Sequence, residues 1–366
     1  MDSEKRQRIL NAIGITATGN PATPDPAFPW GANKPTIKLR LVVAILLALL
    51  AAAILLREYR DTPGFKSDFA IVWFAAKSVL AGSDPYQLVG PGKTFELGTP
   101  LLYPGIAFVP VIPFTFFSEK TASLAFVFLS TFLLAYGITR KSWHLLPMFV
   151  TEAFASSARL AQWSLILTAA LFIPALGALT FVKPQNGVPV VVGSPSQRTF
   201  WAAIAGGIFF TAISLILLPS WPATWWRLLG TAHHMGAPVA RLGGVFTLLV
   251  LLRWRRWEAW LLLALVCMPQ TWGWYNALML FAIPATWREA CVLALVSSLG
   301  AILGGFLIGP GQSLEGFQGA LMVATGYLPA MLIVLRRPNE GTPPAWIGLL
   351  QRFVGPRLLR ENRRAG

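Results

Sequence analysis

The stretch IKLRLVVAILLALLAAAILL, residues 37–56, decides the class of this fold. A helix needs about 20 predominantly apolar residues to cross the hydrocarbon core of a bilayer, and this run meets that length. Its only charged residues, Lys38 and Arg40, stand at its start, with Lys34 just before them. Because cytoplasmic loops are enriched in Lys and Arg, the stretch is predicted to be a membrane helix that starts in the cytoplasm.

The composition of the whole chain agrees with a membrane protein. It is 55% hydrophobic and 12% charged, with a mean hydropathy of +0.59, whereas soluble domains carry about a quarter charged residues. A formal net charge of +15 can indicate nucleic-acid binding, but the basic residues gather in both tails and beside apolar runs. Membrane orientation explains them, so no nucleic-acid partner is expected. Cys267 and Cys291 lack metal-ligand spacing, and no disulfide, metal or cofactor is predicted.

Successive apolar runs between basic clusters predict an all-α polytopic protein with about ten transmembrane helices in the lipid bilayer. The predicted membrane domain covers residues 37–335. It lies between a disordered tail, 1–36, and a basic amphipathic tail, 336–366, both cytoplasmic. Residues 165–182 are predicted to return to the cytoplasm, where they meet Lys183. Residues 57–120 form a large external loop.

That external loop begins with SDFAIVWFAAKSVLAGSDPY, residues 67–86. Its apolar part, 69–76, is too short to cross a bilayer and predicts an interfacial helix. Asp68 stands at the helix start, where a carboxylate can cap free backbone N–H groups. Alternatively, a carboxylate held there can accept a proton from a hydroxyl beside a lipid-borne substrate. Prolines at 104, 110 and 113 argue against a regular span in 102–117, which is also placed in the interface.

Two other acidic residues have simple structural interpretations. Glu152 lies in an apolar run, where a lone carboxylate is costly, and Arg159 follows on a similar helix face. An internal ion pair is therefore predicted. Asp84 precedes Pro85 and Tyr86, a pattern typical of a turn closed by a bond from the side chain to the backbone.

Several short motifs, in this order along the chain, resemble the polyprenol-phosphate-dependent glycosyltransferases of family 87. The first external loop has the aspartate and the Gly-x-Asp-Pro-Tyr turn of that family. A Tyr-Pro element follows, although Gly105 stands where the family has a second proline, and Trp274 stands in place of a histidine in the last motif. The motifs are carried by Asp68, Gly82, Asp84, Pro85, Tyr86, Tyr103, Pro104, Ala161, Gln162, Lys183, Pro184, Pro269, Trp272, Trp274 and Tyr275.

The resemblance implies a fold and an activity. Family 87 enzymes are mannosyltransferase-like integral membrane proteins with the GT-C fold. By this resemblance the chain would move a sugar, with mannose as the first candidate, from a polyprenyl-phosphate donor to an external glycan or glycolipid, with inversion. The expected location is a bacterial inner membrane, with the active site on the periplasmic or external face. Asp68 would be the general base for the acceptor hydroxyl.

The implied chemistry also needs cations for the leaving phosphate and surfaces for the sugars. The phosphate-binding candidates are Lys66, Lys77, Arg159, Arg227, His233 and His234, of which the two histidines could replace the family histidine. The substrate-binding candidates are Tyr86, Tyr103, Gln162, Trp272, Trp274 and Tyr275. The tryptophans also fit an aromatic belt at headgroup depth, and Gln162 either binds an acceptor hydroxyl or caps a helix.

Two alternatives to a transferase remain open at this point. One is a protein that binds or flips a lipid-linked sugar without chemistry, although a flippase needs polar residues along a path through the bilayer, and these spans hold few. The other is a family member without activity, suggested by Gly105 and Trp274. Sequence alone does not identify the sugar, the acceptor or the linkage.

Overall fold

A computed structural model of the chain describes residues 35–231, 236–271, 273–307 and 315–350. The described chain is mostly helical, and five of its helices are long and apolar enough to cross a membrane. They are Ile37–Asp61, Glu119–Ile138, Gln197–Leu217, Trp287–Leu307 and Gly316–Leu335. This architecture fits an all-α membrane protein. The other predicted spans appear as shorter helical segments, so the count of about ten spans stays a prediction.

The first two long helices form an antiparallel pair. Helix α1 (Ile37–Asp61) buries a stripe of small residues, including Ala44, Ala48 and Ala51, against its neighbours. Small side chains let helix backbones approach closely in a membrane. Arg40 extends this contact, because its Nη2 donates to the carbonyl of Tyr136 at 2.6 Å.

The loop between these two helices folds into the protein. It contains α2 (Asp68–Leu80), α3 (Pro85–Leu88), the parallel strands β1 (Val89–Gly90) and β2 (Phe95–Glu96), and the 3₁₀ segments Gly105–Ala107 and Val109–Phe116, before α4 (Glu119–Ile138). The helix predicted at 69–76 is present, but its apolar residues are covered by protein. The Phe69 ring, for example, stacks on Phe126 with centroids 4.1 Å apart. The prediction that this run lies on the bilayer is therefore wrong.

The middle of the chain runs back and forth in short pieces. They are the 3₁₀ segment Leu146–Val150, α5 (Glu152–Arg159), α6 (Ser164–Ala169), the 3₁₀ segment Pro174–Val182 and α7 (Pro184–Gly193). The predicted span 165–182 is instead a hairpin that reverses between α6 and the 3₁₀ segment beginning at Pro174. Its two ends meet, since Lys183 Nζ donates to Gln162 Oε1 at 2.5 Å. Proline starts a new segment here because it cannot continue the hydrogen bonds of the preceding helix.

The second half of the chain supplies the remaining long helices. It contains α8 (Gln197–Leu217), α9 (Trp221–Leu229), the 3₁₀ segments Pro238–Ala240 and Gly244–Arg253, α10 (Trp257–Cys267), the 3₁₀ segment Trp274–Ala282, α11 (Trp287–Leu307), α12 (Glu315–Met322), a π-helical turn Val323–Tyr327 and α13 (Leu328–Leu335). The π-turn ends two residues before Pro329, which lacks the N–H that a regular helix would use there.

A cluster of ion pairs connects the helices at the end of the bundle opposite Asp68. We call this end the Arg337 end. Arg337 bonds Glu258 at 2.9 Å and Glu289 at 2.6 Å. The chain then continues along this end, where the Ala345 N–H donates to the Ser194 carbonyl at 2.9 Å. Residues 336–350 of the predicted tail thus pack on the bundle, while 351–366 and residues 1–34 of the N-terminal tail lie outside the described residues.

Gly105 lies against α9. A Cβ atom there would lie 2.5 Å from the Trp221 ring. That ring cannot easily move, because it is buried and its Nε1 donates to Ser214 Oγ at 3.0 Å. Close packing of Trp221 thus requires glycine at this position.

We expect Gly105→Ala to destabilise the protein by about 1–3 kcal/mol, the usual cost of overpacking a filled core. The measurement is the melting temperature of the purified protein in detergent. Gly98→Ala is the matched control in the same loop, since its Cβ would meet no atom within 4 Å. Equal melting temperatures for the two variants would contradict the assigned packing.

Candidate functional site

Asp68 is free to act through its carboxylate, because another residue caps its helix. Ser67 Oγ accepts from the Ala70 N–H at 3.2 Å and pairs with Ser123 Oγ at 2.9 Å. The capping role that the sequence left open for Asp68 belongs to Ser67. The backbone N–H of Asp68 donates to the carbonyl of Leu160 at 2.9 Å, which ties the start of α2 to the end of α5.

Gln162 joins Asp68 to a cation. Its Nε2 donates to Asp68 Oδ2, and its Oε1 accepts from Lys183 Nζ at 2.5 Å. The side chain is fully buried and lies outside the lining of the cavity described below, so it positions the two charges. Ala161 directly before it has φ 49°, in the left-handed region that favours glycine.

Lys183 approaches Asp68 from the junction of the 3₁₀ segment Pro174–Val182 with α7. Its ammonium lies 5.0 Å from the ring centroid of Tyr275 and 5.6 Å from that of Tyr103. Aromatic faces attract a cation at such distances. The two tyrosines thus hold the Lys183 charge beside the carboxylate.

Burial controls the ionisation of both groups. It raises the pKa of the Asp68 carboxyl above its usual value, although the charge of Lys183 and the bond from Gln162 oppose this. It also lowers the pKa of Lys183 to about 8, against the opposing effect of Asp68. Each charge stabilises the other, and both groups can change protonation state closer to neutral pH than free side chains do.

These side chains border a cavity of about 170 Å³, which we call the Asp68 cavity. Its polar lining residues are Asp68, Thr99, Tyr103, Lys183, Gln185, Thr271 and Tyr275. The hydroxyl of Tyr103 is buried with no hydrogen-bond partner among the described residues, whereas that of Tyr275 pairs with Thr271 Oγ1 at 2.6 Å. The cavity thus offers a base, a cation and a free hydroxyl to one ligand.

Of the predicted substrate-binding residues, the structure brings Tyr103 and Tyr275 to this cavity. Tyr86 is buried behind it and donates through its hydroxyl to the Tyr103 carbonyl at 2.9 Å. Asp84 forms the predicted turn, with Oδ1 accepting from the Tyr86 N–H at 2.9 Å. These contacts shape the loop that carries Tyr103.

The predicted phosphate-binding residues lie away from the Asp68 cavity. Lys66 lies over the Phe95 ring at 3.9 Å, Lys77 lies over Trp73 at 4.9 Å, and Arg227 is exposed on α9. None of the three lines the cavity. His233, His234 and Trp272 lie outside the described residues.

Arg159 and Trp274 border a different cavity. Arg159 Nη2 contacts Glu152 Oε1 at 3.3 Å, which confirms the predicted ion pair. Its guanidinium therefore does not join Lys183.

Lys183 is the cation that the list of candidate residues missed. The Lys-Pro that ends an apolar run could have indicated this residue. Hydropathy, however, predicted that the run crosses the membrane, which placed Lys183 at the cytoplasmic end of the bundle.

Among the described residues, no group of three or more His, Cys, Asp and Glu side chains could hold a metal ion. No family model, curated protein or solved structure matches the chain.

Proposed function

We propose that this protein is a membrane glycosyltransferase of the GT-C type, which moves a sugar from a polyprenyl-phosphate donor to an external glycan or glycolipid. The observation that carries the proposal is the hydrogen-bonded chain from Asp68 through Gln162 to Lys183, which we call the relay. Its two charged ends line one cavity. The carboxylate can accept the proton that the acceptor hydroxyl loses, and the ammonium can stabilise the negative charge of the leaving phosphate. Mannose is the first candidate for the sugar.

The chemistry follows from the two charges. The Asp68 carboxylate accepts the proton of an acceptor hydroxyl, and the hydroxyl oxygen forms a bond to the anomeric carbon. The bond from that carbon to the phosphate oxygen breaks, and its electron pair leaves with the polyprenyl phosphate. Lys183 and the Tyr103 hydroxyl stabilise the developing negative charge. Attack opposite the leaving group inverts the anomeric configuration.

A neighbouring groove supports a lipid-linked donor. This groove of about 510 Å³ is lined almost entirely by apolar atoms, including those of Ile106, Phe181, Ile204 and Ile208. Ile106 lies two residues after Pro104, and Phe181 lies two residues before Lys183, and both Pro104 and Lys183 line the Asp68 cavity. An isoprenoid chain in the groove would therefore place its phosphate near Lys183.

The charge distribution supports an orientation for the protein. Arg140 and Lys141 border a cavity with Trp257 at the Arg337 end, where Arg253 and Arg256 also lie. By the enrichment of basic residues in cytoplasmic loops, this end faces the cytoplasm of a bacterial inner membrane. The Asp68 end then faces the periplasm or exterior, both termini are cytoplasmic, and the short segments complete about ten spans.

A cysteine at exposed Ser83 is therefore expected to react with an impermeant thiol reagent in intact cells. The background is Cys267→Ser with Cys291→Ser, because Cys267 is exposed. Glu340→Cys, exposed at the Arg337 end, is the control and should label only after the membrane is permeabilised. The reverse pattern would show that the orientation is inverted.

A donor screen tests the activity itself. Purified protein is incubated with a panel of polyprenyl-phosphate sugars and a membrane glycolipid extract, and release of free polyprenyl phosphate is measured. We expect release from one donor class. A protein that only binds or flips lipid-linked sugar, or an inactive family member, would leave every donor intact.

A further inference from the structure

A second cavity lies at the Asp68 end of the bundle, and its lining residues have no role in the proposed transfer step. It has a volume of about 600 Å³ and lies among α1, α5, α11 and α12. We call it the Glu152 cavity. Its lining includes Glu152, Arg159, Trp274, Ser298 and Gln318.

The two cavities share a wall. Trp274 borders the Glu152 cavity, and the next residue, Tyr275, borders the Asp68 cavity. Arg159 borders the Glu152 cavity, and the carbonyl of the following Leu160 accepts from the Asp68 N–H at 2.9 Å. Groups bound in the two cavities would therefore lie on either side of a wall about one residue thick.

The ion pair in the Glu152 cavity leaves polar atoms of both side chains able to bind a ligand. Its contact, from Arg159 Nη2 to Glu152 Oε1, is 3.3 Å long. The side chains remain 42% and 33% exposed, so a second carboxylate oxygen and further guanidinium N–H groups are available to a ligand. An ion pair this exposed contributes little to stability.

The lining of the cavity selects one class of ligand. The Glu152 carboxylate would repel a phosphate, and the charged pair would be desolvated by an isoprenoid chain. A carbohydrate has hydroxyls that donate to the carboxylate and accept from the guanidinium, and it has an apolar face that packs on an aromatic ring. Half-buried Trp274 supplies that ring. The volume falls in the usual range of about 300–1,000 Å³ for small-molecule sites.

We propose that the Glu152 cavity binds the sugar of the acceptor, a role that rests on the proposed transferase function. Glu152 and Arg159 orient the acceptor hydroxyls, and Trp274 packs against the sugar ring. Because Asp68 lies beyond the shared wall, the sugar bound in the Glu152 cavity is a neighbour of the one that reacts, and the next unit of the same glycan presents its hydroxyl to Asp68, while the donor phosphate lies at Lys183. One site thus holds each substrate.

The test measures binding without requiring transfer. Purified protein is titrated with soluble methyl glycosides of mannose, glucose, galactose and N-acetylglucosamine, and the apparent Kd is taken from the rise in melting temperature. We expect one glycoside to stabilise the wild type. Glu152→Gln is expected to weaken it roughly tenfold or more, the effect of losing a hydrogen bond to a charged group.

A second variant serves as the matched control. Glu58→Gln makes the same chemical change at a residue outside the cavity, whose Oε1 accepts from Thr62 Oγ1 at 3.2 Å, and should bind like the wild type. The proposal is overturned if no glycoside stabilises the wild type, or if Glu152→Gln binds the glycoside as tightly as Glu58→Gln does.

The outcome separates this proposal from the transferase proposal. Glycoside binding that depends on Glu152, with no donor consumed in the donor screen, would retain the sugar site and remove the transferase. Donor consumption with glycoside binding unaffected by Glu152→Gln would retain the transferase and place the acceptor elsewhere.

Discussion

Replacing Asp68 with asparagine is expected to lower the rate of sugar transfer by about 10²–10⁴, the contribution of a positioned general base. Asparagine keeps the size of the side chain and still accepts from Gln162 Nε2, but it cannot take the proton of the acceptor hydroxyl. Helix α2 retains its cap, because Ser67 and not Asp68 bonds the free N–H. The buried Lys183 charge loses its partner, however, so the melting temperature is expected to fall, and transfer is compared at a temperature at which the variant stays folded.

Asp84→Asn is the control for this variant. Asp84 Oδ1 accepts from the Tyr86 N–H at 2.9 Å, and asparagine can make the same bond. We expect this variant to retain most of the transfer rate. Transfer by Asp68→Asn at the rate of Asp84→Asn would remove Asp68 as the base.

The second large effect is expected at Lys183. Lys183→Gln removes the cation to which the proposed transfer assigns the leaving phosphate, and the loss of one such stabilising group costs about 10²–10³ in kcat. Glutamine can still donate to Gln162 Oε1, so the relay keeps a hydrogen bond. Lys120→Gln is the matched control, because Lys120 is exposed and lies over the Tyr59 ring at 5.7 Å, away from the Asp68 cavity.

The pH dependence of kcat/KM separates a chemical role of Lys183 from a structural one. As the base, Asp68 must be deprotonated, so activity rises with pH through its raised pKa. Lys183 must be protonated, so activity falls as pH passes its pKa of about 8. Lys183→Gln should abolish the alkaline fall and move the acidic rise to higher pH, because the Lys183 charge lowers the pKa of Asp68. A profile with both limbs unchanged would exclude Lys183 as the titrating cation.

The class of the fold and its longest helices follow from the sequence. Runs such as 37–56 are long and apolar enough to specify a membrane-crossing helix without other contacts. Hydropathy fails where a long run is interrupted, as in 165–182, because it cannot distinguish one span from a hairpin of two short segments. Because the chain reverses before Pro174, Lys183 lies at the opposite end of the bundle from the one predicted.

The site could be predicted only in part. Asp68 was found because it starts a short apolar helix, although its neighbours proved to be protein and not lipid. Gln162 and Lys183 lie 94 and 21 residues from their respective partners, and no periodic pattern connects such positions. The ion pair of Glu152 and Arg159 could be predicted because both lie on one helix at helical spacing.

We propose that Asp68 and Lys183 act together on a lipid-linked sugar. Mass spectrometry of the product formed from the donor that the wild type consumes tests this joint action, with wild type, Asp68→Asn and Lys183→Gln compared at a temperature at which all three are folded. We expect a sugar-extended acceptor with the wild type and at least about a hundredfold less with either variant. Product formed by both variants at the wild-type rate would contradict it.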